Sequence, residues 1–132
     1  MNKLFFLIFL FSGSCLLSQT RLSDGSWEDK ELSFDIVNEG IKEDGFIELC
    51  ISKNGFCVEN LTIGFTIVIF DKTGKEIWNS LWTGKDMELK FERSFPEAEE
   101  ILIEAGASFV INKTTGTRIG TGQPLKLVKN LN

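Results

Sequence analysis

The sequence predicts an all-β fold, an antiparallel β-sandwich of seven or eight short strands. Three observations predict it. Apolar residues recur at every second position along most of the chain, which is the spacing of a strand with one buried and one wet face. Turn residues punctuate these runs at short intervals, in "NEG", "KNG", "DKTG", "TGK", "KTTG" and "GTG". No stretch sustains a helical period except one ambiguous segment, Pro96 to Ala105.

The chain opens with "MNKLFFLIFLFSGSCLLSQT". Lys3 supplies a positive start, Leu4 to Phe11 is an unbroken apolar run too short to span a bilayer, and small polar residues follow. That order is expected of a secretory signal peptide over residues 1–18, with Ser18 as the small residue before the cut. The alternative is lipidation of Cys15, because "SGSC" resembles a lipobox, although Ser12 stands where a lipobox has Leu. The expected location is exported, periplasmic or extracellular, and lipid-anchored to the envelope if Cys15 is acylated. Contact with a membrane is expected only in that lipidated form.

Cleavage removes one basic residue, Lys3, of fourteen and leaves thirteen against nineteen acids, a net charge of −6. An acidic surface repels the phosphate backbone, so nucleic acid is not an expected partner. The remaining residues divide into an N-terminal extension, 19–30, and a sandwich domain, 31–132. Trp27 in "DGSWED" is placed to pin the extension to the body.

Each element then follows in order. In "LSFDIVN", Leu32, Phe34 and Ile36 share a face; in "GFIELCIS", Ile47, Leu49 and Ile51 do. "CISKNGFC" reads as a hairpin and carries the two cysteines that survive cleavage. An oxidising compartment makes a Cys50–Cys57 disulfide a candidate, and the turn decides it. A two-residue loop at Asn54-Gly55 sets Ser52 opposite Cys57 and leaves Cys50 one diagonal step away. A three-residue loop from Lys53 to Gly55 puts the sulfurs on opposite faces. Only a turn centred on Lys53-Asn54 sets the cysteines directly opposite, so the bond and two separate thiols both stay open.

"TIGFTIVIF" aligns Ile63, Phe65, Ile67 and Ile69 on one face. The oxygens of the following "FDKTGKE" raise the question of calcium, which wants six to eight oxygen ligands. Asp71 and Glu76 are its only carboxylates, and Lys72 and Lys75 interleave with them. The segment therefore reads as a turn, with Asp71 accepting backbone N–H groups and Gly74 taking a positive φ.

"KEIWNSLW" puts Ile77, Asn79 and Leu81 on one face and Trp78, Ser80 and Trp82 on the other. With Ile77 and Leu81 inward, Trp78 and Trp82 form an outward aromatic pair that can stack on a sugar ring or anchor a protein partner. With the strand buried on both sides, or with a bulge re-aiming an indole, they supply core area, the commoner fate of side chains this large. "DMELKFER" alternates Met87, Leu89 and Phe91 with Glu88, Lys90 and Glu92.

In "SFPEAEEILIEAG", Ser94 and Glu97 have the spacing of a capping box around Pro96, while "ILIEA" is β-rich. The expectation is one helical turn from Pro96 to Glu100 and a strand from Ile101, with a ten-residue helix as the alternative. "SFVIN" and "PLKLVK" supply the last strands. "GTRIGTG" lacks the G-K-[ST] ending of a phosphate loop and reads as turns.

This strand rhythm, from about Leu32 to Val128, resembles the immunoglobulin-like and fibronectin-III-like modules of exported bacterial proteins. The resemblance implies a β-sandwich and no functional residue. The chain has no tyrosine, so the tyrosine corner of such domains is absent, and Trp78 lies after both cysteines rather than between them.

Chemistry is bounded by the same inventory. There is no histidine, so Ser–His and Cys–His dyads cannot form and the usual zinc sites lose their imidazoles. Neither a metal nor a cofactor is expected. The densest acidic run is Glu97, Glu99, Glu100 and Glu104, which reads first as a solvated face. The expected function is non-catalytic: a binding, adhesion or structural module meeting protein or carbohydrate at Trp78 and Trp82. Two alternatives are a small inhibitor that plugs a hydrolase with Glu97 to Glu100, and a hydrolase built on paired carboxylates.

Overall fold

The rows of alternate apolar residues become the inner faces of facing sheets. In the computed structural model, which describes residues 19–21 (backbone only), 27–83, 87–106 and 109–132, thirteen strand segments form and no helix is found among the described residues. They are β1 (Gln19–Arg21), β2 (Trp27–Asp29), β3 (Leu32–Gly40), β4 (Phe46–Lys53), β5 (Phe56–Cys57), β6 (Leu61–Thr62), β7 (Phe65–Asp71), β8 (Glu76–Trp82), β9 (Glu88–Lys90), β10 (Ala98–Ala105), β11 (Phe109–Asn112), β12 (Arg118–Gly120) and β13 (Leu125–Asn130). The count exceeds seven or eight because several segments have only two or three residues. The fold is all-β, its sheets do not close on themselves, and the arrangement is compatible with a sandwich.

One sheet runs β13-β10-β7-β8, and a second is built on β3 and β4. β4 pairs with β3 along its length, with β9 at its start and with β5 at its end. Phe65, Ile67, Ile69, Ile101, Ile103 and Leu125 of the first sheet are buried against Leu32, Phe34, Ile36, Ile47, Leu49 and Ile51 of the second. Phe34 and Phe65 meet edge to face across the interface, ring centroids 5.5 Å apart. A third sheet, β1-β2-β12-β11-β6, includes a parallel pairing of β2 with β12, which ties Trp27 to Ile119.

Two local departures from plain alternation have visible causes. A bulge in β3 between Ile36 and Asn38 leaves Val37 unpaired and ends the inward row at Ile36, so Asn38 is exposed where alternation would bury it. The β3–β4 connection then winds tightly, with the N–H groups of Glu43, Asp44 and Gly45 all reaching the Gly40 carbonyl. It buries Ile41 completely. Gly45 has φ 69°, and a Cβ there would lie 2.8 Å from the Arg93 carbonyl oxygen, so only glycine fits.

The segment from Pro96 to Ala105 corrects the expected helical turn. Phe95 to Ala98 forms a single reverse turn, closed by the Ala98 N–H on the Phe95 carbonyl, and β10 starts at Ala98 rather than at Ile101. Pairing with β7 on one side and β13 on the other satisfies a full row of backbone groups that a short helix would leave at its ends. A bulge at Glu99 accommodates the extra residue.

Candidate functional site

The candidate site grows from the β7–β8 hairpin. Its turn is set by Asp71, whose Oδ1 accepts the Thr73 N–H at 2.8 Å, the Thr73 hydroxyl at 2.6 Å and the Lys75 N–H at 3.1 Å. Gly74 takes φ 78° and closes the loop onto the Asp71 carbonyl. The Thr73 hydroxyl and then its N–H hold the Asp71 carboxyl below its ordinary range. Those oxygens turn the chain, with one carboxylate oxygen already committed three times.

The register that follows decides which way the indoles face. Ile69 pairs with Trp78, Ile67 with Ser80 and Phe65 with Trp82. Directly opposed residues in an antiparallel pair share a face, so Trp78, Ser80 and Trp82 point where the buried Phe65, Ile67 and Ile69 point. Between the Ile69–Trp78 and Phe70–Glu76 pairs Ile77 is an extra residue, a bulge that fixes this parity. The outward indole pair is thereby replaced: Trp78 and Trp82 pack against the core at its rim, and Leu81 is the outward residue, 67% exposed.

Facing the indoles across the open side of the two sheets are Leu89, Phe91 and Phe95. Trp78 meets Phe91 edge-on at 5.0 Å and Phe95 at a tilt at 5.8 Å, and the two phenyl rings stand edge to face at 5.6 Å. The Arg93 guanidinium lies over Phe95, 4.6 Å from the ring centroid. Beside this cluster runs a groove of about 680 Å³ whose accessible wall is the partly exposed Trp78 and Trp82, backed by the buried Leu89, Phe91 and Phe95 and rimmed by Lys90, Glu92 and Arg93. It lies between two strand edges, because among the described residues β8 is the last strand of its sheet and β9 pairs only with β4.

Other candidates are dispersed. Cys50 and Cys57 lie with sulfurs 2.13 Å apart and Cα atoms 5.6 Å apart. The register is that of the two-residue loop, with Ser52 opposite Cys57, and the sulfurs meet across the diagonal. Cys15 lies outside the described residues. Of the acidic run, Glu97 sits 3.9 Å from Arg93 and Glu104 sits 3.1 Å from Lys126. Glu99 and Glu100 border a shallow pocket with Asp71, whose Oδ1 is spent on the turn. Glu99 Oε2 is buried without a hydrogen-bond partner.

Three groove residues escaped the sequence reading as site members: Phe91, Arg93 and Phe95. Phe91 and Phe95 read as core by alternation and spacing. Only the tight turn at Phe95, which Gly45 admits against Arg93, brings them under Trp78. Phe56 was missed too; it is 79% exposed at the hairpin tip beside the disulfide, and its place next to Asn54-Gly55 could have signalled it. Compared with known proteins, the chain matches no family model, no curated protein and no solved structure.

Proposed function

We propose that this is an exported, non-catalytic immunoglobulin-like sandwich of seven or eight principal strands that acts by binding, with the aromatic groove between β8 and β9 as its recognition surface. Export rests on the order of charges and apolar residues before Ser18, which precedes the described chain. The observation that carries the binding role is the pair of partly exposed indoles, Trp78 and Trp82, that lines a groove of about 680 Å³ over the buried Phe91 and Phe95, with both charge signs at its rim. Aromatic floors with a polar rim bind through stacking and apolar contact, and the partner classes that fit are a protein segment or a carbohydrate.

The inhibitor alternative needs a protruding acidic loop. Glu99 and Glu100 instead begin β10 and are partly buried, so Glu97 alone stands out. The carboxylate-hydrolase alternative needs two free acids facing each other in a cleft. Glu97 and Glu104 are engaged with Arg93 and Lys126, which leaves this alternative only the shallow pocket that Glu99 and Glu100 border with Asp71, whose Oδ1 is committed to the turn.

The test is capture from native envelope extract and from glycan and peptide arrays, read by tryptophan fluorescence. Binding that shifts indole emission and that Trp82→Ala weakens at least tenfold is expected. Binding indifferent to Trp82→Ala would place the surface elsewhere, and turnover of any captured ligand would end the non-catalytic reading.

A further inference from the structure

Lys53 stands where alternation would put an apolar residue. It follows Ile47, Leu49 and Ile51 in the inward row of β4 and pairs with the buried Leu32 of β3, so its side chain starts on the core face of the sheet. Its end meets Asp29, the last residue of β2, with Nζ 2.5 Å from Oδ2. Asp29 is buried and Lys53 is mostly so. An ion pair taken out of water is weak support for a fold, because desolvation offsets much of the attraction, and apolar residues of similar volume often serve as well or better. Stability alone does not account for the pair.

Two further groups converge on the same carboxyl and the same amine. The backbone N–H of Glu31 donates to Asp29 Oδ1 at 3.2 Å. The Glu31 carboxylate lies 3.7 Å from Lys53 Nζ, and it is the most open of the three side chains. These groups divide as an acyl transfer needs them. A nucleophilic nitrogen lies against a carboxyl group. One oxygen of that carboxyl, Oδ1, has a donor that can steady negative charge, and the other, Oδ2, faces the amine and can leave. A second carboxylate stands beside the protons of the nitrogen.

We propose that Asp29 and Lys53 condense to an intramolecular amide that joins β2 to β4, with Glu31 as the proton carrier. The ion pair first shifts a proton from Nζ to Oδ2, which leaves an amine facing a carboxylic acid. The Nζ lone pair then attacks Cγ; the C–N bond forms and the carbonyl electron pair moves onto Oδ1, under the Glu31 N–H. The Glu31 carboxylate takes a proton from Nζ and passes it to the Oδ2 hydroxyl. As the electron pair on Oδ1 re-forms the carbonyl, the Cγ–Oδ2 bond breaks and Oδ2 departs as water, past the open Glu31 side chain. The products are one amide and one water, Glu31 is a carboxylate again, and no oxidant is consumed. The condensation is unfavourable between free groups in water, but holding both partners in contact is worth an effective concentration of about 10⁵–10⁸ M. It also removes both charges from a site with little access to solvent. None of these residues lines the indole groove, so the two readings fail separately.

The full chain is purified folded, then reduced, unfolded and read by mass spectrometry before and after trypsin. The expected mass is one water below that of the reduced sequence, and the peptides carrying Asp29 and Lys53 should run as one branched species, uncut after Lys53. Lys53→Arg keeps the positive charge without the amine and should show the full sequence mass. Glu31→Gln, a change at an open side chain, should keep the wild-type circular dichroism and lower the condensed fraction at least tenfold. A folded wild-type chain that has its full mass and is cut after Lys53 overturns the proposal and leaves an ordinary ion pair. So does a water loss that persists in Lys53→Arg, as a succinimide at Asp24-Gly25 or Asp44-Gly45 would give, or a condensed fraction that Glu31→Gln leaves unchanged.

Discussion

Replacing Trp78 and Leu81 separately by alanine tests which face of β8 is inside. Full truncation of a buried Trp costs about 3–5 kcal/mol. Trp78 is mostly buried, touches two phenyl rings and keeps one flank open to the groove, which brings the expected loss to about 2–4 kcal/mol. Leu81 is 67% exposed, so its alanine variant forfeits only a minor share of a Leu burial, about 0.5 kcal/mol or less. The measurement is urea denaturation followed by far-UV circular dichroism, which does not depend on the indole being removed. For a domain of this size each kcal/mol moves the melting temperature by roughly 3–6 °C, so in a parallel thermal melt Trp78→Ala should unfold about 5–20 °C below Leu81→Ala. If Leu81→Ala is the more damaging change, the Ile77 bulge is misplaced and every inward assignment on β8 reverses with it.

Three further outcomes follow from other contacts. Changing Cys50 and Cys57 together to serine should lower stability by about 2.5 kcal/mol on the chain-entropy scale, given a separation of seven residues, as read by urea melts with and without reductant; melts that reductant leaves unmoved would refute it. Asp71 is depressed below the ordinary carboxylate range by its Thr73 bonds, so its contribution is full above that range and is lost as pH falls through the folded value. The melting gap between wild type and Asp71→Asn should therefore be open at neutral pH and close in acid; a gap that widens in acid would exclude those bonds as its source. Asp29 is buried, with Oδ2 2.5 Å from Lys53 Nζ, and Asp29→Ala should cost about 2–3 kcal/mol and hasten proteolysis around β2, whereas an unchanged melt would show the pair to be idle.

The inward rows were legible because period-two alternation is local: Leu32, Phe34, Ile36, Ile47, Leu49, Ile51, Phe65, Ile67 and Ile69 needed no knowledge of their neighbours, and all are buried. The face of β8 was not legible in the same way. Alternation gives Trp78 and Trp82 a common side but not its sign, and the sign is set by the Ile77 bulge against β7, a property of two strands at once. The segment from Pro96 misled for the opposite reason. Its capping-box spacing is a genuine local preference, overridden because β10 has partners on both sides and its buried Ala98, Ile101, Ile103 and Ala105 complete the core. The cysteines show a geometric limit. The sequence allows the two-residue loop, and a diagonal pair is normally distant, but the twist of a short hairpin brings these Cα atoms to 5.6 Å.

The groove is where stability and recognition can be pulled apart. A sandwich side left open between β8 and β9 would admit water to Phe91 and Phe95, so at least one large side chain is needed to seal it, and Trp78 makes both ring contacts that do so. Trp82 is the other indole on the same face, and neither of those phenyl contacts is its own. If sealing were the whole role of the pair, the loss on truncation would scale with burial alone, and no ligand would distinguish the two positions. A recognition surface requires the reverse at Trp82: a stability loss smaller than that of Trp78→Ala, together with a larger loss of affinity. Measuring both quantities on both variants separates a rim that merely closes the core from one that also receives a partner. Equal ratios of lost stability to lost affinity at the two positions would favour closure alone.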